Sequence, residues 1–228
     1  MIVRNEADII AKTLERLLPQ VEAVFLCDNG STDETRNIAK GYDKVRVYSL
    51  KGPYDHVRGQ KMMIWLARHY DWVVPVDGDE LWSGIRSVRR FGKYDTVKIT
   101  KINNFMMVRS EDKFDFRNFP YYRTMNIKKN PRLIFRPVVG GRMRYVGEGS
   151  HDNRSRNFCL TDEFRIDHYP MRSSSQYMKK ITAGYGSILK RGVKNIAHHW
   201  ARWHETMEKG RFEATMDSLV RGYQQRLL

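Results

Sequence analysis

Hydrophobic positions in the first third of the chain alternate between two patterns. Short runs rich in β-branched residues are typical of strands, whereas apolar residues three or four positions apart are typical of helices. The first pattern predicts strands at residues 1–3, 24–27, 45–49 and 72–76. The second predicts helices between them, at residues 9–18, 32–40 and 58–69. This alternation predicts βαβ units and a largely parallel sheet flanked by helices, which is an α/β fold.

The second half of the chain loses this regular alternation. Residues 96–99 and 133–135 predict strands, and the polar and aromatic residues 111–130 between them predict a long loop. After Tyr169-Pro170 the pattern becomes helical and stays so to the end. The sequence therefore predicts an α/β domain over residues 1–170, with a helical segment over residues 171–228 packed on the same domain.

Composition narrows the class of protein. The chain has 228 residues, of which 41% are hydrophobic and 29% are charged, as is usual for globular proteins. It contains no run of about 18 or more apolar residues and begins with no signal-peptide layout, so neither a spanning helix nor secretion is expected. Two cysteines, Cys27 and Cys159, make no disulfide or metal-binding pattern. We therefore expect a cytoplasmic protein.

The formal net charge of +15 predicts attraction to phosphates, whether these belong to nucleotides, nucleic acid or anionic lipid. The basic residues are spread along the chain without a zinc-finger, RNP or heptad pattern, so nucleic acid is not the expected partner. The tail, residues 195–228, mixes tryptophans with basic residues. It is expected to pack on the core as an amphipathic helix, and peripheral contact with the cytoplasmic membrane surface is the alternative.

The most informative polar feature is the acidic segment Asp77-Gly78-Asp79-Glu80, which directly follows the predicted strand at residues 72–76. Ligands of α/β sheets bind at the carboxyl ends of the strands. Closely spaced carboxylates there suit Mg²⁺ or Mn²⁺, which prefer oxygen ligands and share them with substrate phosphates. A solvated acidic turn is the simpler alternative. The segment favours a protein that handles a metal-bound phosphate compound.

Three segments in order resemble glycosyltransferase family 2 and its relatives with the GT-A fold. They are residues 3–8 (VRNEAD), residues 28–35 (DNGSTDET) and residues 77–80 (DGDE). The later segment at residues 167–170 (DHYP) is similar to a C-terminal histidine region of the same family. The resemblance implies a Rossmann-like, nucleotide-binding sheet and transfer of a sugar from a nucleotide-diphosphate sugar, most often with inversion.

The resemblance also implies a role for individual residues. Arg4, Asn5 and Glu6 are implied to lie in the nucleotide-sugar site, and Asp28 is implied to hydrogen-bond the donor's base. An Asx turn is the alternative for Asp28. Arg58 is implied to stack on the base or bind a phosphate, and an exposed arginine at the start of a helix is the alternative.

Further residues are implied to bind the diphosphate and a metal ion, Mn²⁺ or Mg²⁺. Asp77 contacts the ribose or the ion, whereas Asp79 and His168 bind the ion. A histidine satisfied at a strand end is the alternative for His168. Arg172 and Lys179 are implied to neutralise the diphosphate, although a solvated helix face would also explain a basic residue there.

Inversion requires a base that removes the proton of the acceptor hydroxyl. The family's base appears about where Glu148, His151 and Asp152 stand, although the usual Glu-Asp pair is missing. Asp152 is the preferred choice among these three.

The predicted partners are a UDP-, GDP- or dTDP-linked sugar and a glycan or other hydroxyl acceptor. One alternative function is a nucleotidyltransferase acting on sugar phosphates, but Arg4-Asn5-Glu6 stands where its glycine-rich loop would lie. The other alternative is a non-enzymatic polyanion-binding domain, for which the net charge is the argument.

Overall fold

A computed structural model describes residues 1–50, 56–106, 115, 119, 121–145, 155–173, 176, 178–180, 182, 205 and 224–225. The chain divides into two compact units. The first unit comprises Met1–Asn103 and Thr124–His168, and the second comprises Asn104–Arg123 and Tyr169–Leu228.

The first unit begins with three parallel strands connected through helices, as predicted. The strands are β1 (Ile2–Val3), β2 (Val24–Asp28) and β3 (Val45–Ser49), in the order β1-β2-β3. The helices are α1 (Ile10–Leu17), α2 (Thr35–Lys40) and α3 (His56–Leu66). Every residue of β2 is buried, because this strand lies in the middle of the three. The mixed α/β class predicted from the sequence is confirmed.

Two local features explain how the helices lie on these strands. Helix α1 buries Ile10, Leu14 and Leu17, whose spacing places them on one face of the helix. Helix α3 approaches the strands closely at Gly59, where an added Cβ would lie 3.0 Å from Cδ1 of Ile2. A side chain at residue 59 would therefore require the Ile2 side chain or the helix to shift.

The predicted strand at residues 72–76 is wrong as a regular strand. Among the described residues, this segment makes one isolated bridge, between Val73 and Phe135, and a second isolated bridge follows it, between Asp77 and Ile2. Pro75 lacks the N–H group that a continuous ladder requires. The regular strand starts instead at Glu80, as β4 (Glu80–Ser83). The acidic segment is consequently a turn that leads into a strand.

The remaining strands were predicted only in part. They are β5 (Thr96–Ile99), β6 (Lys101–Met106), β7 (Tyr121–Asn126), β8 (Arg132–Phe135), β9 (Val138–Val139), β10 (Arg142–Met143), β11 (Phe158–Thr161), β12 (Arg165–Met171) and β13 (Gln224–Gln225). Strand β5 lies between β11 and β8, and β12 pairs antiparallel with β4. Gly140 and Gly141 connect β9 to β10 with positive φ angles, as a tight hairpin turn requires.

The second unit contains a cluster of aromatic rings. Phe105 stacks on Tyr122 and Tyr169, with ring centroids 5.0 and 4.7 Å apart, and Phe119 meets Tyr169 edge-on. The prediction of one long loop over residues 111–130 is wrong, because strand β7 lies within this range. Helical conformation after β12 is seen at residues 176, 178–180, 182 and 205. No helix in the described part of the chain has the length and hydropathy needed to cross a membrane.

Candidate functional site

The acidic segment forms a tight turn that is held from two sides. The N–H of Glu80 donates to the carbonyl of Asp77 at 3.2 Å, and the Thr13 hydroxyl on α1 donates to the carbonyl of Gly78 at 2.7 Å. An added Cβ on Gly78 would lie 3.1 Å from Cγ1 of Val3 and 3.2 Å from Cγ of Glu6. Glycine therefore lets the turn lie directly against the segment that follows β1.

A histidine far along the chain lies beside this turn. Strand β12 pairs with β4 so that His168 stands opposite Glu80, next to the end of the acidic segment. Nε2 of His168 lies 3.5 Å from Oδ1 of Asp79, and the Asp79 side chain is 4% exposed. Carboxylate and imidazole are both ligands of divalent transition metals. The structure thus brings together two of the three residues predicted to bind a metal ion.

The third predicted metal ligand, Asp77, contacts a residue that the sequence did not single out. The Arg132 side chain on β8 donates from Nη2 to Oδ2 of Asp77 at 3.2 Å and from Nε to Oε1 of Glu80 at 2.6 Å. The indole N–H of Trp82 donates to the other carboxylate oxygen of Glu80 at 3.0 Å. Arg132 therefore joins the two ends of the acidic turn.

The electrostatics of this cluster follow from burial and charge. Burial raises the pKa of Glu80 above its ordinary value, and the positive charge of Arg132 opposes that shift. Burial also disfavours the charged form of Arg132, but the carboxylates of Glu80 and Asp77 outweigh it and raise the pKa of the guanidinium. Arg132 is accordingly a permanent cation inside an acidic cluster.

No sequence signal distinguishes Arg132 in advance. It is one of 41 lysines and arginines, and it belongs to none of the recognised segments. Only the placement of β8 beside the acidic turn reveals its contacts.

The first two recognised segments lie against each other through hydrogen bonds. Asn5 adopts a positive φ of 54°, and its side-chain oxygen accepts from the N–H of Thr32 at 2.8 Å. The N–H of Asn5 donates to the Ser31 hydroxyl at 3.0 Å, and the N–H of Ser31 donates to Asp28 at 3.1 Å. Asp28 thus accepts from a backbone N–H three residues on, one residue further than in the Asx turn considered for it. This does not test the role of Asp28 in binding a base.

Neither Ser31 nor Thr32 caps helix α2. The residue that precedes α2 is Glu34, which makes no capping hydrogen bond through its side chain. Asp33 accepts instead from the N–H of Thr35, at 3.0 Å. Ser31 and Thr32 form hydrogen bonds with Asn5 instead.

Asn29 lies in the recognised segment at residues 28–35, but the sequence analysis assigned it no role in binding. It follows Asp28 at the end of β2 and is 3% exposed. Within the described residues, neither polar atom of its side-chain amide has a hydrogen-bond partner. A buried amide without partners costs free energy, which a bound ligand or water would recover.

The other predicted site residues lie in different surroundings. Arg4 and Arg58 are exposed, whereas Glu6 is buried. In the second unit, Arg172 is 1% exposed and donates from Nη1 to the carbonyl of Tyr169 at 3.0 Å, and Lys179 is exposed in a helical segment. The three residues considered as the base lie outside the described residues: Glu148, His151 and Asp152. Among the residues that are described, no three His, Cys, Asp or Glu side chains converge as a metal-binding group.

Comparison with known protein families identifies the family to which the chain belongs. The model of glycosyl transferase family 2 matches residues 1–137, which include all three segments on which the resemblance rests. The chain belongs to glycosyl transferase family 2. The predicted family is thereby confirmed. No curated protein sequence matches this family 2 chain.

Solved structures show the same fold at low sequence identity. TarS 1-349 from S. aureus is 14% identical with a TM-score of 0.51, over 82% of this chain and 64% of that one. GalNAc-T7 with UDP, GalNAc and Mn²⁺ is 7% identical with a TM-score of 0.50, over 95% of this chain and 53% of that one. The family 2 chain therefore spans less than two thirds of the length of these relatives. The likeness supports the GT-A fold that was predicted.

Proposed function

We propose that this chain is a metal-dependent glycosyltransferase that moves a sugar from a nucleotide-diphosphate sugar to an acceptor hydroxyl. The observation that carries the proposal is the contact between Asp79 and His168 at the acidic turn. The two residues come from distant parts of the chain, and the pairing of β12 with β4 brings them together. Family membership supports sugar transfer, and GalNAc-T7, which shares the fold, is solved with UDP and Mn²⁺.

The residues of the turn fit a divalent ion. Asp79 and His168 supply one carboxylate and one imidazole, and the carboxylate is almost completely buried. Ions that serve phosphate substrates take only one or two protein carboxylates and complete their shell with phosphate oxygens and water. The imidazole favours Mn²⁺ over Mg²⁺. Such an ion stabilises the negative charge that develops on the departing nucleoside diphosphate.

Other residues of the chain are proposed to bind the nucleoside part of the donor. The turns after β1 and β2, which Asn5 and Ser31 tie together, would hold the nucleoside end of the donor. Asp28 and Asn29 lie there, and the unpartnered amide of Asn29 can both donate to and accept from a base edge. We propose that Asp28 binds the base, as the family resemblance implies.

Inversion of the anomeric centre requires a base on the acceptor side. The proposal keeps Asp152 in that role, with His151 and Glu148 as the other choices. Arg172 and Lys179 remain proposed partners of the diphosphate. The burial of Arg172 makes Lys179 the more accessible of the two.

The first test measures binding and requires no knowledge of the sugar. Thermal stability is recorded with UDP, GDP or dTDP, each with and without MnCl₂. A transferase of this kind is stabilised by one nucleoside diphosphate only when Mn²⁺ is present, because ligands that bind the native state raise its apparent stability. Stabilisation by every polyanion, lost on adding salt, would instead support a polyanion-binding domain.

The second test assigns the effect to the turn. Asp79→Asn and His168→Ala should each abolish the Mn²⁺-dependent stabilisation and the release of nucleoside diphosphate from the matching nucleotide-sugar. Asp162→Asn is the matched control, because Asp162 is an exposed carboxylate paired with Lys101 on the surface. Undiminished sugar transfer by Asp79→Asn would refute the proposed function.

A further inference from the structure

Arg132 contacts two carboxylates of the acidic turn, and the proposed function assigns it no role. Its side chain is 12% exposed, and it lies between the buried carboxylate of Glu80 and the 37% exposed carboxylate of Asp77. The guanidinium is planar and can hold two carboxylates in fixed directions, which a lysine cannot do. Its position therefore determines where the Asp77 carboxylate lies.

The carboxylates of the acidic turn differ in their nearest described partners. Asp79 lies beside His168, whereas Asp77 and Glu80 share Arg132. Three carboxylates within four residues would repel a diphosphate, and the guanidinium of Arg132 cancels one of their charges through its contacts with Asp77 and Glu80. The part of the turn that contains Asp77 is thus less negative than the sequence suggests.

We propose that Arg132 is a positioning residue that holds Asp77 toward the nucleotide donor and keeps it off the metal ion. This inference rests on the proposed function, since it assigns a task within the same site. Asp77 accepts a hydrogen bond from a hydroxyl or N–H group of the donor, and Arg132 fixes the orientation of its carboxylate. Asp79 and His168 alone then supply the side chains for the ion.

A purely structural ion pair with Glu80 is the competing explanation, and Arg132→Lys separates the two. Nε of Arg132 already contacts Glu80 at 2.6 Å, so a lysine amine near that point keeps this ion pair. The contact with Asp77 comes from Nη2, which also touches Oε1 of Glu80. A lysine amine lies one bond short of Nη2 and lacks the guanidinium fork, so it stays with the buried Glu80 carboxylate and cannot hold Asp77 in the same direction. The substitution therefore removes the positioning contact and preserves the structural one.

The experiment measures two dissociation constants for each variant. Calorimetry gives the constant for whichever of UDP, GDP and dTDP stabilises the wild type most, at saturating Mn²⁺. Electron paramagnetic resonance of free Mn²⁺ gives the constant for the metal alone. In Arg132→Lys we expect about a tenfold or greater weakening for the nucleotide, since a hydrogen bond to a charged group contributes about 1.5–3 kcal/mol. The constant for Mn²⁺ alone should stay within about twofold of wild type.

The matched control is Arg136→Lys. Arg136 directly follows β8, the strand that begins with Arg132. It donates to the carbonyl of Gly92 and stacks over Trp72. The control therefore makes the same arginine-to-lysine change away from the acidic turn. Its nucleotide affinity should equal that of wild type. Equal affinities in Arg132→Lys and wild type would overturn the inference, as would a large loss of Mn²⁺ affinity in Arg132→Lys.

A second variant keeps the inference testable if Arg132→Lys does not fold. Asp77→Ala leaves the pair of Arg132 and Glu80 in place and should weaken the nucleotide by a similar factor, with Mn²⁺ affinity unchanged. Wild-type nucleotide affinity in Asp77→Ala would overturn the inference. Failure of the proposed function looks different, because the wild type itself would then show no Mn²⁺-dependent nucleotide binding.

Discussion

Thr13→Val probes how the acidic turn is supported from helix α1. Thr13 is 1% exposed, and its hydroxyl donates to the buried carbonyl of Gly78, between the two aspartates, at 2.7 Å. Valine has nearly the same shape, so the substitution removes the donor and leaves the packing almost unchanged. The carbonyl of Gly78 then remains buried without this partner.

The magnitude follows from that unsatisfied acceptor. Leaving a buried acceptor without its donor costs about 1–3 kcal/mol of the free energy of unfolding. For a chain of this size, each kcal/mol lowers the melting temperature by about 2–4 °C. Thr13→Ser is the matched control, because it keeps the hydroxyl and loses only a methyl group, worth about 0.8 kcal/mol.

The assay is urea denaturation of the wild type and both variants, followed by nucleotide titration in Mn²⁺. We expect Thr13→Val to be less stable than Thr13→Ser and to bind the nucleoside diphosphate more weakly, since the turn shifts when its support is lost. If Thr13→Val matches the wild type in both measurements, the hydrogen bond does not hold the turn and this reasoning is wrong.

Three further predictions concern single residues. Gly78→Ala should weaken Mn²⁺-dependent nucleotide binding, because the new methyl would lie 3.1 Å from Val3 and displace the turn; titration of the variant checks this. Asn29→Leu should preserve or raise the free energy of unfolding without ligand, because it removes a buried unpartnered amide, and should weaken nucleotide binding; denaturation and titration together test both effects. Cys27 is fully buried and burial raises the pKa of its thiol, so iodoacetamide at neutral pH should label it only after unfolding, as peptide mass analysis would show.

The sequence predicts the first part of the fold well because its pattern is regular there. Strands β2 and β3 and helices α1 and α3 have apolar positions with clear periods, and each prediction is confirmed within a few residues. The segment 72–76 has the composition of a strand, yet Pro75 and the neighbouring chain limit it to an isolated bridge. Strand β7 lies in a polar stretch whose period gives no signal, and only its position between β6 and the distant β13 in one sheet reveals it.

Residues of the candidate site could be predicted from the sequence where they belong to a short recognised motif. Asp79 and His168 were both named from the sequence, and the pairing of β12 with β4 places them in contact. Arg132 and Thr13 were not, because neither stands in a recognised segment, and Asn29 stands in the segment at residues 28–35 but was assigned no binding role of its own. The importance of Arg132 and Thr13 comes from tertiary contacts with the acidic turn, and that of Asn29 comes from the burial of its amide; local pattern shows neither.

The pairing of β12 with β4 also bears on where this chain can be shortened. The match to the family ends at residue 137, before β12 begins, so a version cut there would keep the acidic turn and lose the strand beside it. The N–H and C=O groups on that side of β4 would then be open to other molecules, and exposed strand edges promote aggregation. Insolubility of a truncated chain would therefore be explained by the unpaired edge of β4 and would not test the proposed sugar transfer.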